Sequence, residues 1–143
     1  MIEHIESNNV DLAIILRASY EKDKGIEFLT PDHYSQQLGY MKREADYIIE
    51  PHVHNSLKRE VHFTKEVLFI KTGKVRVDFY SDDKVYLKSC ILKKGDFILL
   101  AFGGHGFYFI EESEIIEVKQ GPYSGEKDKT KFKPVSNEKI RFE

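Results

Sequence analysis

The stretch EPHVHNSLKREVHFTKEVLFIKTGKV, residues 50–75, holds three of the six histidines and a glutamate set inside an apolar run. His52 and His54 are two apart, so in a strand both side chains leave the same face at roughly 6–7 Å spacing. Two imidazoles so placed can converge on one divalent ion, and neutral imidazole is the commonest metal ligand. Glu66 shares its parity with Leu68 and Ile70. A carboxylate on that apolar face is costly unless it is paired or bound to a cation.

Two foldings of this stretch compete. A reversal through NSLKRE (55–60) sets residue 54 opposite 66 and 52 opposite 68, bringing His52, His54 and Glu66 onto one inward face. A tight turn at FTK would instead bring His62 to Glu66, with Glu60 as a further partner. In a continuous strand His62 and Glu66 lie about 13 Å apart and cannot share an ion. VHFTKEVLFI offers no Gly, Pro, Asn or Asp for a tight turn, so the longer hairpin is favoured and His62 falls outside the donor set.

Outward from this stretch the period is mostly that of strands. DLAIILRAS (11–19), IEFLT (26–30), QQLGYMK (36–42) and YIIEPHVHN (47–55) precede the reversal. KVRVDFY (74–80), VYLKSCIL (85–92), FILLAF (97–102), HGFYFI (105–110) and EIIEVKQ (114–120) follow it, separated by turn clusters such as SDDK and KKGD. Short strands at such intervals predict an antiparallel sandwich or barrel. A short helical turn is expected over TPDHYSQQL (30–38), with a capping threonine and then proline. From Gly121 onward a polar, lysine-rich run reads as an irregular C-terminal arm.

A fourth donor candidate stands in KKGDFILLAFGGHGFYF. Gly103 and Gly104 permit a sharp turn before His105, after which His105, Phe107 and Phe109 share one face. In EIIEVKQGPY, Glu117 and Lys119 share a face opposite Ile116 and Val118. Turned inward, they would pair and contact a polyol or carboxylate ligand; turned outward, they are the solvent face of an edge strand. Arg59 falls at the hairpin tip, where its planar fork suits a phosphate or carboxylate or simply faces water. Tyr123, after Gly-Pro, is placed to lie over a cavity mouth.

Length and composition bound the rest. With 143 residues, 41% hydrophobic and 32% charged, the chain is expected to be one soluble domain, 1–143, with its motif-bearing core at about 47–120. A net charge of −2 argues against general nucleic-acid affinity. No apolar run approaches the ~20 residues needed to cross a bilayer. The opening residues lack the basic and apolar regions of a signal peptide, and a single cysteine, Cys90, fits a reducing compartment, so a cytoplasmic location is expected. Abundant aromatics suit sheet contacts between two copies, and a homodimer is expected.

The two motif segments together resemble the cupin superfamily. Its first motif has His-x-His, a glutamate, and a glycine after six more residues; here His52 and His54 are followed by Glu66, with 67–72 before Gly73. Its second has Gly, five residues, Pro-x-Gly and then a histidine; here Gly95 is followed by DFILL, Ala101, Gly103 and His105. Eleven residues separate His54 from Glu66, more than the family pattern, and alanine replaces the motif proline.

The resemblance implies a double-stranded β-helix, the jelly-roll barrel, with its site inside the open end. It further implies a divalent metal (Zn, Fe, Mn or Ni) held by His52, His54, Glu66 and His105. The chain is also similar to small cupins of cell-surface polysaccharide biosynthesis, which implies a sugar or sugar-derived ligand, with Arg59, His62, Glu117, Lys119 and Tyr123 as contacts. Relatives acting on nucleotide sugars as isomerases or epimerases use the barrel without metal and a histidine as base. A binding module without turnover is the third expectation.

Overall fold

The computed structural model describes residues 1–142. The chain divides into two compact units: Met1–Tyr20 with the chain from Thr64 onward, and Glu21–Phe63.

The first unit is an antiparallel β-structure in two sheets. Its strands are β1 (Ile2–Ser7) and β2 (Val10–Leu16), then β5 (Glu66–Thr72), β6 (Lys74–Tyr80), β7 (Tyr86–Lys93), β8 (Phe97–Leu100), β9 (Gly104–Phe109) and β10 (Glu114–Lys119). One sheet has the order β1-β2-β8-β5-β10 and the other β7-β6-β9. The alternating residues of each sheet meet in one core. Leu12, Ala13, Ile15, Leu68, Ile70, Ile98 and Leu100 come from the larger sheet, and Val77, Phe79, Cys90 and Leu92 from the smaller. This is the packing of a sandwich, in which period-two patterning turns every second side chain inward. The all-β antiparallel expectation is met.

Turn chemistry places the strand ends. Gly73 has a φ of 84°, and a Cβ there would stand 2.2 Å from Ser113 Oγ, so only glycine passes between β5 and β6. Arg17 ties the larger sheet's rim. Its guanidinium donates to both Glu3 carboxylate oxygens, to the Ile91 carbonyl and to Asp96. The Arg17 contact holds the Glu3 carboxyl below the usual carboxylate range. β1, which was not expected from sequence, pairs along β2.

The outer face of the smaller sheet is covered by the C-terminal arm. Arg76 forms a two-point pair with Asp78 at 2.8 and 3.1 Å, and both side chains are buried. Ser89 donates to the same carboxylate at 2.6 Å, and Asn137 accepts from Arg76. Arg141 N–H donates to Tyr86 and Phe132 packs edge-on against Tyr80. The arm carries two short 3-10 turns, Gly125–Asp128 and Asn137–Lys139, and is otherwise irregular, as its composition implied.

The second unit contains one hairpin, β3 (Gly25–Phe28) with β4 (Gly39–Lys42). Two expectations fail here. Residues 30–38 form turns rather than a helical turn. The Gln37 amide donates to the carbonyls of Pro31 and Tyr34, and Thr30 Oγ1 accepts from Leu38 N–H. Those side-chain bonds replace the helical ones. Residues 43–65 form no strand, so YIIEPHVHN lies in no ladder.

Candidate functional site

The expected hairpin of 52–58 against 62–68 does not form. Glu66 lies opposite Lys119 of β10 on one side and Leu100 of β8 on the other. With both edges of β5 occupied at that residue, no third strand can pair there.

What β5 and β9 bring together is Glu66 and His105. Directly opposed residues share a face, so Glu66, opposite the buried Leu100, points inward. His105 lies opposite the buried Phe79 and also points inward from the other sheet. His105 Nε2 stands 3.2 Å from Glu66 Oε2, with the carboxylate side chain 15% and the imidazole 29% exposed. The His105 hydrogen bond holds the Glu66 carboxyl below the usual carboxylate range, against the opposing effect of burial. The turn before His105 needs Gly103, whose φ is 69° and whose added Cβ would stand 2.5 Å from the Tyr80 carbonyl.

Glu117 and Lys119 extend this polar strip. They lie opposite Leu68 and Glu66 in the β5–β10 ladder, so they are on the inward face, and Lys119 Nζ is 3.2 Å from Glu117. That contact raises the Lys119 pKa, so the amine stays charged beside Glu66. Phe107 and Phe109 follow His105 on its own face, opposite Val77 and Val75, and remain exposed because β9 is an edge strand.

The remaining expected residues lie elsewhere. His52 and His54 belong to the second unit, exposed, with rings 5.2 Å apart and His52 Nδ1 3.0 Å from the Glu50 carbonyl. Arg59 and His62 are in the same unpaired segment, and both are exposed; His62 is 3.9 Å from Glu60. Arg59 therefore caps no hairpin tip. Tyr123 is also exposed. A further donor group that sequence reading missed is His4, Glu6 and Asp11 on the β1–β2 hairpin, with His4 3.0 Å from Asp11. Its members are far apart in motif terms and meet only through the hairpin. Cys90 is buried, and burial pushes its thiol pKa up to about 12, which leaves it an inert core residue.

No protein-family model, curated protein or solved structure matches this chain.

Proposed function

We propose that this protein is a jelly-roll enzyme of the cupin type that moves a proton on a small, sugar-derived carbonyl compound, with His105 as the base. The 3.2 Å contact between Glu66 and His105 carries the reading. A charged carboxylate facing Nε2 favours the tautomer with the proton on Nε2, which leaves Nδ1 free to accept one. Nδ1 takes a proton from the carbon beside the substrate carbonyl. Lys119, opposite Glu66 in the ladder, offsets the negative charge that develops on the carbonyl oxygen. Return of the proton to the same or the neighbouring carbon gives epimerisation or isomerisation.

Strand order supports the jelly roll. From β5 to β10 the chain crosses between the two sheets at every connection except the β6–β7 hairpin, and the β6–β7 ladder is nested inside the β5–β8 ladder.

The second reading is a divalent metal held by Glu66 and His105. A 3.2 Å separation also suits neighbouring donors around one ion with bonds of about 2.0–2.2 Å. When bound, the ion would polarise a substrate carbonyl.

The test is deuterium uptake from heavy water by nucleotide-linked keto sugars, beside the metal content of protein purified without chelator. His105→Ala should slow uptake by about 10²–10⁴-fold. Uptake unchanged in both His105→Ala and Glu66→Gln overturns the reading. Stoichiometric metal lost in both variants selects the metal centre.

A further inference from the structure

Two edge strands of the first unit, β9 and β10, carry His105 and Lys119 of the proposed site. Among the described residues β9 pairs with β6 alone and β10 with β5 alone. Both edges carry exposed apolar side chains: Phe109 and Ile110 on and beside β9, Ile116 and Val118 on β10. An apolar edge of this kind templates pairing with another strand unless something covers it.

The ladders say what the missing strand should be. β6 pairs with β7, and around it β5 pairs with β8, both antiparallel. The next ladder in that nest would join β9 to a strand-forming segment that precedes β5. Separated from β5 by residues 56–65, the chain carries YIIEPHVHN (47–55), strand-forming by composition, yet in no ladder and exposed. Ile48 is 78% and Val53 88% accessible. Pro51 cannot donate to a ladder, which suits an outermost strand whose second edge faces water.

One chain therefore carries both an open edge and an unpaired strand-forming segment, the latter in a separate compact unit. Reciprocal exchange between two copies satisfies both at once and closes with two-fold symmetry. We propose that residues 47–55 of a second copy pair antiparallel along the open edge of β9, and that this exchange completes the Glu66–His105 site. Alternation puts both histidines on one face, opposite Val53. With that face inward, as the proposal has it, His52 of the partner subunit and His54 of the partner subunit arrive where His105 stands. The catalytic half of this proposal rests on the function proposed above; the strand exchange does not.

The experiment places a photoreactive p-benzoylphenylalanine at Phe109. Normal-isotope and ¹⁵N-labelled chains are unfolded in urea and refolded together, irradiated, and analysed by peptide mass spectrometry with light scattering. Exchange predicts a dimer, and cross-links from residue 109 to residues 44–58 of which about half carry mixed isotopes. A monomer, cross-links of single isotope only, or links to another segment overturn the exchange. Val53→Lys, on the outward side, should keep the dimer, whereas Phe109→Lys should weaken it with the circular dichroism unchanged.

The site is tested by complementation. A His52→Ala/His54→Ala chain is refolded with an equal amount of a Glu66→Gln/His105→Ala chain. Each alone should be inactive in the deuterium assay, and the mixture should recover about one quarter of wild-type uptake. Mixed-isotope links without recovery overturn the shared site and leave the exchange standing. Recovery is excluded if each copy builds its own site.

Discussion

Lys119 faces Glu66 directly across the β5–β10 ladder, and Glu66 in turn meets His105 of the opposite sheet at 3.2 Å. Three titratable side chains from three strands thus converge on one inward strip. Two sheets that pack face to face bring their inward residues together, and at the ends of a sandwich those positions no longer need to be apolar.

Replacing the carboxylate should act on the imidazole first. In Glu66→Gln the Nε2–H tautomer of His105 loses the charged partner that selects it, and long-range ¹H–¹⁵N correlation spectra should show the two tautomers approaching equal population. The lost charge-assisted bond should also cost about 1–2 kcal/mol of stability by urea unfolding.

Acid should destabilise the first unit through known carboxylates. Glu66 is held below its ordinary value chiefly by His105, and Glu3 by Arg17. A depressed folded value means stabilisation that is fully present above the unfolded value of about 4.3 and lost as pH falls through the folded one. Urea midpoints should therefore drop below about pH 4.3, and the drop should be shallower in Glu66→Gln. An unchanged slope would show that the Glu66 contact is absent in solution.

Asp78→Ala should be among the more damaging single changes. It leaves the Arg76 guanidinium buried against Tyr108 without its carboxylate and removes the acceptor of Ser89. Breaking a buried pair in this way costs about 3–5 kcal/mol. Because Asn137 and Arg141 of the arm join the same network, proteolysis of the arm should accelerate in parallel with the loss in urea midpoint.

Gly103→Ala tests the turn that aims His105. A left-handed backbone costs an alanine about 1–2 kcal/mol, and the added Cβ would also stand 2.9 Å from Leu12 Cδ2. A loss above about 2 kcal/mol, with the His105 resonances shifted, is expected. Gly106→Ala, whose nearest contact would be 3.8 Å from Tyr80, should be much milder.

By itself the sequence determined the all-β architecture and most strands from β5 to β10, because alternation of apolar and polar residues is a local signal. KVRVDFY and its neighbours show it without help from distant residues. It also set Glu66 on an inward face and put His105 with Phe107 and Phe109, and Glu117 with Lys119, on common faces, since parity within a strand carries side-chain direction; which way Glu117 and Lys119 turn was settled by the β5–β10 ladder. The pairing was decided only in the tertiary structure. Which strand lies beside β5 depends on residues far along the chain, and β8 and β10 take both positions that a hairpin from His54 would have needed. The turn at 30–38 and the donor group of His4, Glu6 and Asp11 were hidden for the same reason. Each arises from contacts that a local period does not encode.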